Sequence, residues 1–207
     1  AAATPRSGVG SRAVPGAAGA ADEVEDRDGD GRPDQWIFER DGKRARELFD
    51  DNGDGVPDRT VFYEADGKRV QRVEQDADGD GATDSWVMYQ NGKMSQRRAD
   101  TNADGQVDSW IFYDESGRIA RQALDTDGDG TRDRAELFEN GKLARRTEDL
   151  DGDGRPDRSS RFDAQGNAVE TEEDKDGDGQ IDVRSFYESG RLVKRELLDG
   201  ETAEATR

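Results

Sequence analysis

The feature that most constrains this chain is a nine-residue pattern, D-x-[DN]-x-D-G-x-x-D, which occurs seven times at nearly even spacing. The steps between successive copies are 24, 26, 24, 25, 24 and 25 residues. An eighth start, Asp199-Gly200, follows 25 residues after the seventh and breaks off. Such self-similarity is typical of repeat architectures, in which each repeat is one supersecondary unit. The seven copies begin at Asp26, Asp50, Asp76, Asp100, Asp125, Asp149 and Asp174.

Between the aspartate-rich segments, each unit has a short apolar run, a glycine turn and a mixed polar run. The run 110–113, Trp-Ile-Phe-Tyr, is one example. Runs of about six residues, rich in aromatic and β-branched side chains and bounded by Gly and Asp, predict strands. The gaps are too short for helices of about ten residues or more, and consecutive strands joined by short loops run antiparallel. We therefore expect an all-β fold: an elongated antiparallel β-hairpin repeat array, either a solenoid or a ribbon.

The chain divides by composition into three segments. Residues 1–21 are rich in Ala, Gly and Pro, which is typical of a flexible linker. Residues 22–199 hold the seven tandem repeats of about 25 residues. Residues 200–207 are interpreted as a truncated eighth repeat or a tail.

The composition is too polar for an ordinary hydrophobic core. Only 30% of the residues are hydrophobic, 39% are charged, and the formal net charge is −19. Such a chain cannot bury enough apolar surface to offset the entropy of ordering its backbone. We therefore expect something other than a hydrophobic core to hold the repeats together.

The same composition excludes several classes of function. The chain has no cysteine and no histidine, so it lacks disulfides, thiolate zinc sites and the commonest general base. The strong acidity disfavours nucleic acid, because phosphate binding needs clustered Lys and Arg. No apolar run approaches the roughly 20 residues of a membrane span. Carboxylate pairs are present, but they lie within segments repeated seven times, which predicts a role other than catalysis.

The spacing of the aspartates predicts calcium-binding loops. Calcium prefers six to eight oxygen ligands, and positions 1, 3 and 5 place three side-chain oxygens along a tightening loop. Gly at position 6 permits the sharp turn, position 7 offers its backbone carbonyl, and position 9 closes the site. Calcium would relieve the repulsion among these carboxylates and should drive folding. About seven Ca²⁺ per chain are therefore expected.

The predicted ligands at positions 1, 3, 5, 7 and 9 are as follows: Asp26, Asp28, Asp30, Arg32 and Asp34; Asp50, Asn52, Asp54, Val56 and Asp58; Asp76, Asp78, Asp80, Ala82 and Asp84; Asp100, Asn102, Asp104, Gln106 and Asp108; Asp125, Asp127, Asp129, Thr131 and Asp133; Asp149, Asp151, Asp153, Arg155 and Asp157; Asp174, Asp176, Asp178, Gln180 and Asp182.

These loops resemble those of several calcium-binding families. The first half resembles an EF-hand, but EF-hands use a bidentate Glu at position 12, and only Glu136 matches among the seven residues there. Thrombospondin type 3 loops also usually have an acidic group at position 12, which is again absent here. The nine-residue loops of integrin-type propeller blades are more similar. The turns from Tyr89 to Lys93 and from Tyr113 to Arg118 resemble YD-type and MORN-like hairpin repeats. The resemblance implies an extracellular calcium-binding β-hairpin array and no specific activity.

Aromatic residues are expected to form ladders on both faces of the sheet. Positions 13 and 14 hold pairs such as Phe62 and Tyr63, and neighbouring strand residues face opposite sides. A single-layer sheet cannot bury both faces, so we expect a second sheet, another chain or a glycan to cover one of them. Trp36, Trp86 and Trp110 lie at position 11 and either pack in the core or stack on sugar rings.

The sequence as a whole favours a secreted, calcium-stabilised structural protein and not an enzyme. We expect a bacterial extracellular fibre or biofilm-matrix component that self-associates head to tail, with residues 191–198 pairing with residues 22–25 of the next molecule. The alternative is a calcium-dependent polysaccharide-binding or adhesion module at the cell surface. The opening Ala1-Ala2-Ala3 is interpreted as the end left by signal-peptide cleavage.

Overall fold

The computed structural model describes residues 20–198, which form fifteen β-strands and no helix. The described residues therefore contain no helix that is long and apolar enough to cross a membrane. Most of the expected linker and the expected tail lie outside the described residues. The strands are β1 (Glu23–Glu25), β2 (Gln35–Arg40), β3 (Lys43–Phe49), β4 (Arg59–Tyr63), β5 (Val70–Gln75), β6 (Ser85–Gln90), β7 (Lys93–Ala99), β8 (Ser109–Tyr113), β9 (Ile119–Leu124), β10 (Arg134–Glu139), β11 (Lys142–Glu148), β12 (Arg158–Phe162), β13 (Ala168–Glu173), β14 (Val183–Glu188) and β15 (Arg191–Leu197).

The chain divides into two units at Gly105. The first unit contains β1 to β7 and the second contains β8 to β15. Within each unit, every strand pairs antiparallel with the strands next to it in sequence. This confirms the all-β antiparallel hairpin array. The strands do not coil back to form a second layer within the described part of either unit, so the array is the ribbon type of meander and not a solenoid.

In the first unit the two faces of the sheet differ in character. The Trp36 face carries two rows of side chains: the row Trp36, Leu48, Thr60, Glu74, Trp86 and Arg98, and the row Phe38, Arg46, Phe62, Arg72, Met88 and Gln96. The Ile37 face carries the row Ile37, Glu47, Val61, Val73, Val87 and Arg97. Ile37, at 2% exposure, is the most buried large side chain of the described residues.

A small hydrophobic core lies at the start of the first unit. Ala21, Trp36, Phe38 and Leu48 form one buried cluster, and Val24 packs against it. Ala21 was expected to end the flexible linker, but it is 6% exposed and belongs to the folded part. The reason is that the backbone N–H of the next residue, Asp22, donates to the carbonyl of Ile37, which extends the pairing beyond β1.

Arginine side chains cover aromatic rings where a second sheet or a partner was expected. The guanidinium of Arg46 lies 4.2 Å from the ring centroid of Phe38, and that of Arg72 lies 3.5 Å from Phe62. In the second unit Arg121 lies 4.5 Å from Phe112. Because arginine combines an apolar stem with a charged head, it shields a ring from water and keeps its own charge hydrated. These aromatic rings of the single-layer sheet are thereby covered by arginine side chains of the same chain.

In the second unit, cross-strand ion pairs replace much of the apolar packing. On one face, Glu148 lies between Arg134 (3.4 Å) and Arg158 (4.0 Å), and Arg158 also pairs with Glu173 at 3.3 Å. On the other face, Arg184 pairs with Glu172 at 2.7 Å. Opposite charges directly across neighbouring strands contribute roughly 0.2–1 kcal/mol each. The loss of tryptophan after the fourth repeat is thus accompanied by a charged ladder.

Every hairpin has a β-bulge near its turn, at the step between positions 13 and 14 of the repeat. In the first hairpin the register shifts between Phe38 and Glu39, and the other six hairpins shift at the equivalent place. A bulge inserts one extra residue in one strand and increases the local twist. The pairing between the two strands is thereby shifted just before the chain turns.

The turns alternate between two types along the chain. Four hairpins have two-residue turns in which both residues have positive φ: Asp41-Gly42, Asn91-Gly92, Asn140-Gly141 and Ser189-Gly190. The three hairpins between them have longer turns that close on a glycine with positive φ: Gly67, Gly117 and Gly166. The two-residue turns are those whose twist matches the twist of paired strands. Two successive hairpins, not one, therefore make up the full structural repeat.

Candidate metal centres

The first aspartate-rich loop connects β1 to the first hairpin, and the other six connect each hairpin to the next. In each unit the loops lie at the ends of the strands opposite the turns. Four of the loops, the first, second, third and seventh, are closed at the base by the N–H of position 9: in the second loop, the N–H of Asp58 donates to the carbonyl of Phe49 at 2.8 Å. Successive loops are also joined to each other. The N–H of Asp50 donates to the carbonyl of Asp34 at 2.9 Å, and the N–H of Asp76 donates to that of Asp58 at 2.8 Å. The first aspartate of one loop is therefore fixed to the ninth residue of the loop before it.

The hydrogen bond that joins successive loops also occurs after the seventh loop. At the end of the described chain, the N–H of Leu198 donates to the carbonyl of Asp182 at 2.6 Å. Leu198 therefore holds the place that the first aspartate holds in the other loops. The predicted start of the eighth repeat, Asp199, lies outside the described residues.

Within each loop, carboxylates accept hydrogen bonds from the backbone. In the first loop, Asp26 accepts from the N–H groups of Gly29 (2.7 Å) and Gly31 (2.9 Å) through its two oxygens. Asp34 at position 9 accepts from the N–H of Arg27 at 2.6 Å. The other loops repeat these bonds, for example from Gly152 and Gly154 to Asp149. The loop backbone thus orders the carboxylates.

Two positions in the loop, 4 and 6, have a left-handed backbone, and only position 6 was predicted from the sequence. The glycines at position 6 have φ between 87° and 93°. Position 4 has φ between 76° and 82° in the six loops where it is glycine, and in the fourth loop Ala103 adopts φ of 60° there. The signal was visible in the sequence, since six of seven copies have glycine at this position. An L-residue is strained in this conformation.

Five of the loops bring together carboxylates that can hold a metal ion. In the fifth loop all four predicted carboxylates have oxygens within 4.8 Å of one another, and in four other loops those at positions 1, 3 and 9 do so. The position-5 aspartates of those four loops are not part of their clusters. The clusters are Asp125, Asp127, Asp129 and Asp133; Asp26, Asp28 and Asp34; Asp76, Asp78 and Asp84; Asp149, Asp151 and Asp157; Asp174, Asp176 and Asp182.

The second loop differs because it has asparagine at position 3. Asn52 accepts from the N–H of Asp54 at 2.8 Å through Oδ1, and its Nδ2 donates to Asp58 at 2.6 Å. The amide nitrogen of Asn52, and not its oxygen, therefore faces the Asp58 carboxylate with which Asn52 would bind a shared metal ion. Ligation through Oδ1 would need the amide to rotate and would break its bond to Asp54. The fourth loop also has asparagine at this position, Asn102.

Asp133 illustrates the electrostatic state of a cluster. The backbone N–H and the hydroxyl of Thr126 both donate to Asp133, at 2.5 and 2.7 Å. These hydrogen bonds hold the pKa of the Asp133 carboxyl below its usual range, mainly through the backbone N–H. The carboxylate is therefore charged at neutral pH and available to a cation.

The donor set fits a hard cation. All the side-chain donors of the clusters are oxygens, and the chain has neither histidine nor cysteine to favour zinc or copper. Position 12, where an EF-hand has its bidentate glutamate, lies inside a strand here: Ile37, Val61 and Ser160 occupy it and are buried. These three residues lie away from the loop, and Glu136, the one glutamate at position 12, lies in β10 and pairs with Arg146 at 2.7 Å. The loop is thus a nine-residue site whose remaining ligands would be the carbonyl at position 7 and water.

No protein-family model matches the sequence, and no curated protein matches it. Two solved structures are distant neighbours. One is the accessory secretory protein 1, 2 and 3 assembly of Streptococcus pneumoniae (16% identity, TM-score 0.36, covering 56% of this chain and 19% of that one). The other is a TarM mutant of S. aureus in complex with fondaparinux, alpha-GlcNAc-glycerol and UDP (11% identity, TM-score 0.37, covering 50% and 20%). The chain therefore spans about a fifth of each neighbour's length.

Proposed function

We propose that this chain is a calcium-stabilised structural repeat protein of the cell exterior, with one Ca²⁺ per loop and no catalytic role. The observation that carries the proposal is the recurrence of oxygen-only carboxylate clusters in five loops, each cluster fixed to the backbone in the same way. Hard cations with flexible coordination suit such a donor set, and calcium suits it better than magnesium, which retains most of its water.

Charge balance supports the same proposal. The formal net charge of −19 would fall to −5 with seven Ca²⁺ bound. Without cations, the carboxylates of each loop repel one another at distances below 5 Å. Because the second unit has little apolar packing, we expect metal binding to contribute a large part of its folding free energy. Calcium at millimolar concentration is characteristic of extracellular sites of this type, so we place the protein outside the cell, on a bacterial surface or in a biofilm matrix.

The proposal includes end-to-end self-association. Among the described strands, β15 pairs on one side only, with β14. It exposes Leu192 and Val193 at 53% each and Leu197 at 67%. A strand with unpaired backbone groups and exposed apolar side chains is a template for another chain. The expected partner is the segment around β1 of the next molecule, and a head-to-tail contact of this kind builds a filament.

The alternative, polysaccharide binding by stacked tryptophans, receives less support. Trp36 is 3% exposed and belongs to the core cluster, and the guanidinium of Arg132 lies 4.5 Å from the ring of Trp110. These rings are engaged with the chain's own side chains. Packing is therefore the better interpretation of the tryptophans.

Calcium titration with far-UV circular dichroism tests the metal proposal. We expect a change from coil to β-structure when calcium replaces EGTA, and a smaller change with magnesium. Asp125→Asn at position 1 of the fifth loop, where all seven loops have aspartate, should lower the number of bound Ca²⁺ by one, whereas Asp41→Asn, which removes the same charge at a hairpin turn, should not. Equal calcium binding by the two variants, or full β-structure in EGTA, would contradict the proposal.

Sedimentation velocity in calcium tests self-association separately. The wild-type chain should grow in size with protein concentration, and Val193→Asp on β15 should suppress this growth. Leu137→Asp introduces the same charge at an exposed leucine of β10, a strand paired on both sides, and should leave growth intact. A calcium-folded chain that stays monomeric would leave the metal proposal standing and remove the filament.

A further inference from the structure

One groove in the first unit lies apart from the metal loops. It has a volume of about 730 Å³ and lies at the turn ends of the strands β2 to β5. Phe38 and Phe62 contribute to it from the Trp36 face, together with the turn residue Asp41. Because the loops lie at the opposite ends of these strands, the groove shares no residue with any predicted metal ligand.

More basic than acidic side chains line the groove, although the chain as a whole is strongly acidic. Five basic side chains line it, against three acidic ones, whereas the whole chain has a net charge of −19. Among the acidic residues, Glu64 is already paired with Arg69 at 2.9 Å. Two of the basic residues are also paired, with carboxylates that do not line the groove: Arg44 with Glu47 and Arg72 with Glu74, each at 2.7 Å. Arg40, Lys43 and Arg46 have no acidic partner among the ion pairs of the described residues. A cluster of unpaired cations on such a protein attracts an anion that the rest of the surface would repel.

The arginines are held in place before any ligand arrives. Arg46 lies over Phe38 at 4.2 Å, and Arg72 lies over Phe62 at 3.5 Å while its Nε donates to Glu74 at 2.7 Å. A ring fixes the plane of a guanidinium but leaves its N–H edge free to donate. Arg46 and Arg72 belong to strands two apart, so their backbones are about 10 Å apart. The groove therefore offers preordered donors at regular separation.

We propose that this groove binds an acidic polysaccharide whose sugars carry carboxylates. A guanidinium edge matches a carboxylate with two parallel hydrogen bonds, and a polymer that repeats its carboxylates can contact both arginines at once, which a single sugar cannot. An acidic peptide is less suited. The strands β2 to β5 are each paired on both sides, so a peptide cannot add as a strand. The Phe rings, covered by arginine, offer no pocket for side-chain anchors.

The test measures binding of labelled, short oligogalacturonates to the calcium-loaded full-length chain by fluorescence anisotropy. We expect Arg40→Gln with Lys43→Gln to weaken binding by about threefold, and addition of Arg46→Gln to bring the loss to about tenfold or more. The first two residues are exposed, so the double variant should fold normally. Circular dichroism in calcium verifies the fold of each variant, which separates failure of this site from failure of calcium-driven folding.

A matched control removes the same charge elsewhere. Arg97, Arg121 and Arg191 are exposed and lie outside the groove, and Arg121 stacks on Phe112 at 4.5 Å much as Arg46 stacks on Phe38. Their replacement by Gln should change affinity by less than about twofold. Equal losses in the groove and control variants would overturn the proposal.

Competitors identify the ligand chemistry. Unlabelled oligogalacturonate should displace the probe far better than galacturonate monomer, and neutral dextran should not displace it. If poly-L-glutamate or dextran sulfate displaces the probe as well as oligogalacturonate does at equal charge, the groove attracts anions in general. That result would overturn the assignment to a carboxylated glycan.

Discussion

Ala103 provides a sharp test of how the loops are built. It occupies position 4 of the fourth loop with φ of 60°, where six other loops have glycine. The left-handed backbone costs an L-residue roughly 1–2 kcal/mol, and glycine costs roughly 0.5–1 kcal/mol in chain entropy. We therefore expect Ala103→Gly to increase the free energy of unfolding by about 0.5–1 kcal/mol. At this chain length, the melting temperature should rise by about 1–4 °C.

The reciprocal substitution is the control. Gly53 occupies position 4 of the second loop with φ of 78°, and a Cβ built there meets no atom within 4 Å. Gly53→Ala should therefore lower stability by a similar amount through backbone strain alone. Urea denaturation in saturating calcium measures both variants. If Ala103→Gly instead loses the roughly 0.5–1 kcal/mol that glycine costs at an ordinary position, position 4 does not require a left-handed residue.

Three further predictions concern the strands and turns. Burial, together with a 2.7 Å hydrogen bond to Glu47, raises the pKa of Tyr63 to about 12 from 10.0. The stability that the protonated Tyr63 contributes is complete below pH 10 and is lost as the pH rises towards 12. Tyr63→Phe should therefore flatten the alkaline part of a pH–stability curve. Glu148→Gln should cost about 1 kcal/mol, because Arg134 loses its ion-pair partner and Arg158 keeps only Glu173. This cost should shrink in high salt during urea denaturation. Ser189→Asn should raise the melting temperature, with a gain of about 0.5 kcal/mol, because asparagine tolerates positive φ in a two-residue turn better than serine; an unchanged or lower melting temperature would contradict this reading of the turn.

The aspartate spacing was sufficient to predict the loops and the strand order. Gly31 and its equivalents occupy the left-handed position expected of them, and positions 1, 3 and 9 meet in four clusters, with position 5 joining in a fifth. These features depend on contacts within nine residues, so a local pattern determines them. The place of position 12 inside a strand, at Ile37 for example, follows from the same spacing.

Features that depend on pairing between strands were not predicted. The bulge between Phe38 and Glu39 sets which side chains lie opposite each other, and only with that register does Arg46 reach the ring of Phe38. Sequence spacing alone does not locate a bulge. Of the three expected covers, the second sheet does not form within either unit. The arginines that lie over the rings look like ordinary solvent-facing residues until their cross-strand neighbours are known.

The alternation of turn types sets the step by which such a protein can change its length. Because a two-residue turn is followed by a longer one, the exchangeable module is two hairpins, which corresponds to 50, 49 and 49 residues for the three successive pairs of steps. Duplication or excision of one module keeps each turn type next to the same neighbours. Removal of a single hairpin instead brings two turns of one type together. Genetic variation in length, or deliberate engineering of shorter chains, should therefore proceed in pairs of repeats.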